Sequence, residues 1–123
     1  MISVNTLLVV DDDEDIVKSL GIRLKKQGFK VFTAQDAYQA VMMSHKRRPD
    51  LLILDIGMPA GSGFTVMQNL SISIHTQAIP VIILTALDDK ETRDEAEHMG
   101  ALRYFVKPCE FDKLLSAVNE ILE

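Results

Sequence analysis

The stretch LLILD at residues 51–55 places one carboxylate, Asp55, directly after four large aliphatic residues, and the turn formers Gly57 and Pro59 follow it. A continuous apolar run of this length, bounded by turn formers, is typical of a strand buried on both faces of a parallel sheet. In open α/β sheets, ligands bind in the crevice outside the carboxyl ends of the strands. We therefore predict that Asp55 lies in this crevice as a nucleophile that accepts a phosphoryl group.

Size and composition limit the classes of protein that fit. The 123 residues suit one compact domain, and the 47% that are apolar are enough for a core. A net charge of -5 argues against a protein that grips nucleic acid by its overall charge. Cys109 is the only cysteine, so neither a disulfide framework nor a cysteine-based zinc site is expected. The absence of a leader pattern and of an apolar run of about 18 residues predicts a cytoplasmic protein outside the membrane.

The rest of the chain alternates short apolar runs with segments of helical periodicity. The predicted strands are 7–10, 30–34, 51–55, 81–84 and 104–106, and the predicted helices, counted with their caps, are 16–27, 36–48, 64–71, 88–99 and 111–122. Five strand–helix units indicate an α/β fold with a parallel sheet covered on both faces, and the alternating strand 30–34 belongs at an edge. Asp88 and Glu91 have capping-box spacing, so Asp88 should cap the fourth helix. That helix is polar nearly all round and should pack weakly.

Chemically active side chains follow these predicted strands. The first strand leads to Asp11 and Asp12, the third to Asp55, the fourth to Thr85 and the fifth to Lys107. Because the carboxyl ends of parallel strands share one edge, we expect these side chains to converge. Three crowded carboxylates repel one another and need a cation, and an all-oxygen ligand set favours Mg²⁺. The hydroxyl and the ammonium beside it suit the oxygens of a phosphoryl group that Asp55 would attack.

The residues at the strand ends belong to motifs that resemble a known family. The motifs are VVDD at 9–12, LD at 54–55, MP at 58–59, Gly63, TA at 85–86 and KP at 107–108. In this order and spacing, the chain resembles the receiver domain of bacterial two-component response regulators over essentially its whole length, as a single domain over residues 1–123. The resemblance implies a doubly wound, flavodoxin-like fold whose five-stranded parallel sheet has the strand order 2-1-3-4-5.

The resemblance also implies a phosphorylation site and its metal. Asp55 would receive the phosphoryl group from the phosphohistidine of a sensor histidine kinase or of a phosphotransfer protein. Asp12, Asp55 and the backbone carbonyl of Gly57 would bind Mg²⁺, or Mn²⁺ in its place, and Asp11 would assist indirectly through water or by orienting Asp12. On this interpretation the chain is a signalling domain that catalyses only its own phosphorylation and dephosphorylation.

The resemblance further implies how phosphorylation is transmitted. Lys107 would pair with the phosphoryl group, and Thr85 would hydrogen-bond to it and move toward it. Tyr104 matches the family's aromatic switch, and the bond before Pro108 matches a peptide bond that is commonly cis. The output surface would consist of the fourth helix, the fifth strand and the fifth helix. It would serve a homodimer or an effector domain after Glu123, and the domain itself would not bind nucleic acid.

Two other functions fit parts of the sequence. Asp11 and Asp13 after an apolar strand resemble the nucleophile and general acid of haloacid-dehalogenase-type Mg²⁺-dependent phosphatases. That class needs an acidic pair on a strand after the lysine, whereas the pattern after Lys107 predicts a helix, and Asp55 would have no role. A flavodoxin-like cofactor binder would need a phosphate-cradling loop after the first strand, where acids would repel phosphate.

Overall fold

The computed structural model describes residues 4–58 and 63–123, which form strands and helices in the predicted alternating order. The strands are β1 (Thr6–Val10), β2 (Lys30–Ala34), β3 (Leu51–Leu54), β4 (Val81–Thr85) and β5 (Arg103–Val106). The helices are α1 (Glu14–Lys26), α2 (Ala37–Arg47), α3 (Gly63–Ser71), α4 (Lys90–His98) and α5 (Phe111–Leu122). Their ends lie within about two residues of the predicted ones. Pro59, in the MP motif, lies outside the described residues.

All five strands are parallel and lie in the order β2-β1-β3-β4-β5, which confirms the implied fold and the edge position of β2. Strands β1, β2 and β3 end level with one another, and β4 and β5 end together two residues further on. Val10 pairs with Leu54, Leu54 pairs with Ile83, and Thr85 pairs with Val106. The residues that follow β1, β3 and β5 therefore emerge at the edge where β4 ends.

Helices cover both faces of the sheet, because alternate residues of each strand point to opposite sides. Leu8 and Val10 of β1 belong to the apolar cluster that includes α2 and α3, and Leu7 and Val9 belong to the cluster that includes α1 and α5. Each residue of β3 is at most 1% exposed, so the central strand is buried on both faces as predicted. Side chains of this size contribute about 1.5–3 kcal/mol each when buried. Among the described residues, no helix combines the length and the apolar composition that crossing a bilayer requires.

The start of α4 differs from the prediction by one residue. Asp89 is the N-cap instead of Asp88, and its carboxylate accepts a hydrogen bond from the backbone N–H of Thr92 at 3.0 Å. Asp88 pairs with Arg93, with 2.7 Å between Oδ1 and Nη2. Two adjacent aspartates suit the cap equally well, so residue type did not distinguish them. Ala96 is the only buried residue of the nine in this helix, which agrees with the weak packing expected of it.

The start of α3 lies so close to the end of β3 that only glycine fits at position 63. A Cβ atom there would lie 2.7 Å from the carbonyl oxygen of Asp55 and 2.8 Å from Cα of Ile56. We expect Gly63→Ala to lower the free energy of unfolding by about 1–3 kcal/mol, because the backbone must move to admit the methyl group. Urea denaturation of the two proteins measures the difference.

Gly21→Ala is a matched control inside α1. A Cβ atom at position 21 would meet nothing closer than the methyl groups of Val31 and Thr33, each 3.9 Å away. Because alanine has the higher helix propensity, this change should raise the free energy of unfolding by up to about 1 kcal/mol. Unchanged stability of Gly63→Ala, beside the expected gain for Gly21→Ala, would contradict the close approach of α3 to β3.

Candidate functional site

Three carboxylates lie together at the carboxyl edge of the sheet. Asp11 and Asp12 follow β1, and Asp55 follows β3. One carboxylate oxygen from each lies within 4.8 Å of the other two. Asp11 and Asp55 are 2% and 7% exposed, whereas Asp12 is exposed to solvent. The cluster therefore has a buried inner pair and an outer carboxylate that an incoming ion can reach.

Lys107, which follows β5, bridges the two buried carboxylates. Its Nζ lies 2.6 Å from Oδ2 of Asp11 and 3.2 Å from Oδ2 of Asp55. The backbone N–H of Lys107 donates to the carbonyl oxygen of Thr85 at 2.8 Å, so this residue is tied to the end of β4. The peptide bond between Lys107 and Pro108 is cis, as the resemblance implied. In this conformation the ammonium group is the direct counter-ion of the inner pair.

Burial and charge act in opposite directions on this ion pair. Burial raises the pKa of Asp11, and the hydrogen bond from Lys107 offsets only part of that rise. Burial alone would lower the pKa of Lys107, but the hydrogen bond to Asp11 and the negative charge of Asp55 outweigh it, so the pKa is raised. Lys107 is therefore protonated at neutral pH and holds a positive charge beside both carboxylates.

The Asp55 carboxylate is held from two sides. Its Oδ1 accepts a hydrogen bond from the backbone N–H of Gly57 at 2.8 Å, and its Oδ2 pairs with Lys107. A Cβ atom at position 57 would lie 3.4 Å from Asp55 Oδ1 and 3.6 Å from Oγ1 of Thr85. The carboxylate predicted to be the nucleophile and the Thr85 hydroxyl therefore border the same space beside Gly57.

Thr85 and Tyr104, the two residues expected to switch, are both hydrogen-bonded to Leu87. Thr85 is 1% exposed, and its Oγ1 accepts from the backbone N–H of Leu87 at 3.4 Å. The Tyr104 hydroxyl donates to the carbonyl oxygen of Leu87 at 2.8 Å. This link could not be predicted from the sequence. Both hydrogen bonds are made by backbone atoms of Leu87, and every residue type has these atoms. Sequence reasoning also missed Arg93, whose guanidinium lies 4.9 Å from the centre of the Tyr104 ring.

The residues required by the two alternative functions are placed differently. Asp13 caps α1, and its Oδ1 accepts from the backbone N–H groups of Asp15 at 3.0 Å and Ile16 at 3.4 Å. Helix α5 follows Lys107, so within residues 63–123 no later strand carries an acidic pair. Neither arrangement favours the phosphatase. The segment after β1 is acidic, which also disfavours a phosphate-cradling loop for a cofactor.

The similarity of this protein to known proteins extends over almost the whole chain. The family model of the response regulator receiver domain matches residues 7–119. Protein PilH of Pseudomonas aeruginosa is 33% identical over 116 residues, which cover 94% of this chain and 96% of PilH. Sporulation initiation phosphotransferase F of Bacillus subtilis is 33% identical over 116 residues, with coverage of 94% and 92%. The structure of chemotaxis protein CheY4 of Vibrio cholerae has a TM-score of 0.91 at 28% identity, with coverage of 98% and 100%.

Other curated relatives are longer proteins, and this chain spans 18% to 49% of their length. These similarities give no support to the phosphatase alternative. The structural similarity agrees with the observed strand order. The chain belongs to the response regulator receiver domain family, whose members are signalling domains of two-component and phosphorelay systems.

Proposed function

We propose that Asp55 accepts a phosphoryl group from the phosphohistidine of a sensor histidine kinase or of a phosphotransfer protein. The observation that carries this proposal is the Asp55 carboxylate beside two more carboxylates, an ammonium and a hydroxyl at the carboxyl edge of a parallel sheet. An oxygen of Asp55 attacks phosphorus, a P–O bond forms as the P–N bond breaks, and the imidazole nitrogen keeps the electron pair. Similarity to a protein named as a phosphotransferase supports this chemistry.

The acidic cluster would hold Mg²⁺, or Mn²⁺ in its place. Asp12, Asp55 and the backbone carbonyl of Gly57 would be the protein ligands, and Asp11 would orient Asp12 or act through water. The clustered side-chain donors are carboxylate oxygens, which hard divalent cations prefer. Bound Mg²⁺ supplies positive charge that offsets the carboxylates and the oxygens of the phosphoryl group.

Lys107 and Thr85 would stabilise the phosphorylated state. Phosphorylation adds about -1.5 to -2 charges and three acceptor oxygens to Asp55. Lys107 Nζ already lies 3.2 Å from Asp55 Oδ2, so little movement brings it to the phosphoryl oxygens. The Thr85 hydroxyl, which accepts a hydrogen bond from Leu87 in this conformation, would turn to donate to the phosphoryl group.

Movement of Thr85 would change the position of Tyr104 and the surface formed by α4, β5 and α5. Phosphorylation then shifts the population between two conformations of this surface, because the phosphoryl group interacts better with one of them. The partner for this surface would be a second copy of the chain or an effector domain after Glu123. Residues 1–123 would act as one cytoplasmic domain that contacts neither nucleic acid nor membrane itself.

A small-molecule phosphodonor tests the proposal without a kinase. With the phosphodonor and Mg²⁺, the intact chain should gain the mass of one phosphoryl group in mass spectrometry, and a chelator should abolish the gain. Asp55→Asn should show no gain. Asp13→Asn keeps the cap of α1 and should be phosphorylated like the parent chain. No gain in the parent, or a gain that persists in Asp55→Asn, would reject Asp55 as the acceptor.

A further inference from the structure

The guanidinium of Arg93 connects three segments around Tyr104. Nε and Nη2 of Arg93 lie 3.2 Å and 2.7 Å from Oδ1 of Asp88, in the loop before α4. Cζ of Arg93 lies 4.9 Å from the centre of the Tyr104 ring on β5, within the distance at which cation–π attraction operates. An exposed ion pair alone contributes little to stability. The position of the Tyr104 ring therefore depends on the ion pair and the cation–π contact that the planar guanidinium makes together.

Two hydrogen bonds lead from this ring to Thr85, whose hydroxyl lies at the edge of the phosphoryl site. The Tyr104 hydroxyl donates to the Leu87 carbonyl, and the Leu87 N–H donates to Oγ1 of Thr85. Oγ1 of Thr85 borders the space beside Gly57, whose N–H donates to Asp55. Leu87 therefore links the Tyr104 hydroxyl to the Thr85 hydroxyl through its own backbone.

We propose that Arg93 is a positioning residue that clamps the Tyr104 ring against the Leu87 carbonyl and thereby couples α4 to the phosphoryl site. The coupling rests on the proposed function of Asp55, whereas the clamp exists in the unmodified protein. When Thr85 turns toward a phosphoryl group, the N–H of Leu87 loses its acceptor. The loop around Leu87 then loosens, and the ring leaves the guanidinium.

The clamp is tested in unphosphorylated protein with a single tyrosine. The chain has two tyrosines, and Tyr38 is 76% exposed, so Tyr38→Phe leaves Tyr104 as the only one without disturbing the core. NMR of isotope-labelled tyrosine then reports the Tyr104 ring. Arg93→Ala should lower the equilibrium constant between the clamped and the released ring about two- to fivefold, the effect of an ordinary cation–π contact. The ring signal should move toward its position in the urea-unfolded chain.

Two further variants make this test specific. Arg93→Lys keeps the charge but not the planar group, so its signal should lie between those of the parent and Arg93→Ala. Arg103→Ala is the matched control, because Arg103 makes another exposed ion pair, 3.3 Å from Glu120, next to Tyr104 in sequence. A Tyr104 signal that moves no further in Arg93→Ala than in Arg103→Ala would overturn the clamp.

The coupling is tested by adding the phosphodonor and Mg²⁺ to the same single-tyrosine proteins. Phosphorylation should displace the Tyr104 signal further when Arg93 is present than in Arg93→Ala, where part of the ring population is already released. Equal displacement in both proteins would overturn the coupling. Mass spectrometry of the same samples separates the two proposals. If no variant gains the mass of a phosphoryl group, both the proposed function of Asp55 and the coupling are rejected. The clamp is tested independently by the NMR spectra of the unphosphorylated proteins.

Discussion

Replacing Lys107 with methionine should destabilise the metal-free protein by about 3 kcal/mol, because two buried carboxylates lose their cation. The side chains of Asp11 and Asp55 are 3% and 9% exposed, and that of Lys107 is 19% exposed. Methionine retains much of the packing of the aliphatic lysine stem, so the loss reports the missing charge. Urea denaturation in the presence of a chelator measures the difference.

The loss should depend on pH in a defined direction. Burial raises the pKa of Asp11, and the substitution removes the Lys107 hydrogen bond that lowers it. A carboxyl group whose pKa is raised by folding contributes stability below its unfolded pKa and loses that contribution as the pH rises through the folded value. Lys107→Met should therefore lose less stability at about pH 5 than at about pH 8. Mg²⁺ should restore part of the loss at the higher pH, because the proposed metal site is assembled only in the folded state.

A variant as stable as the parent at about pH 8 without metal would contradict the role of Lys107 as counter-ion. Lys113→Met is the control for removal of a lysine charge. Lys113 is exposed on α5, outside the carboxylate cluster, so its replacement should leave stability nearly unchanged.

Asp12→Asn should weaken Mg²⁺ binding by at least about 10- to 100-fold, a loss that is typical even for groups that contact a metal indirectly. Asp12 is the exposed member of the cluster, and one of its oxygens lies within 4.8 Å of oxygens from Asp11 and Asp55. The substitution removes a charged donor and keeps nearly the same shape. Calorimetric titration with Mg²⁺ measures the affinity of each protein.

Asp13→Asn removes the same unit of charge from the neighbouring residue. The Asp13 side chain caps α1, and asparagine is an equally good cap, so the fold should be unaffected. Its affinity for Mg²⁺ should remain within about twofold of the parent value, the change expected from weakened long-range attraction alone. Equal weakening in Asp12→Asn and Asp13→Asn would show general charge attraction and would reject the proposed ligand.

The fold could be predicted because local patterns and tertiary burial agree. The run at residues 51–54 is apolar throughout because β3 is buried on both faces, and the alternating run at 30–34 lies at the edge. The site could be located for a related reason. The carboxyl ends of the parallel strands share one edge of the sheet, so the predicted strand ends already placed Asp11, Asp55 and Lys107 near one another.

The individual hydrogen bonds and ion pairs within the site and at the start of α4 could not be predicted in the same way. The placement of Lys107 between Asp11 and Asp55 depends on the direction of a long side chain. The link from Thr85 to Tyr104 runs through backbone atoms of Leu87, which any residue type would supply. Asp88 and Asp89 are chemically identical, so the choice of cap depends on the path of the loop before α4.

The position of Lys107 affects whether the protein needs a metal ion in order to fold. Domains whose buried ligands lack an internal partner remain unfolded until metal arrives. Here the ammonium of Lys107 already neutralises part of the inner carboxylate charge. We therefore expect the newly synthesised chain to reach its native state whatever the local supply of divalent ions, so that binding of an ion at the proposed site is a reversible later event rather than a requirement for survival of the protein.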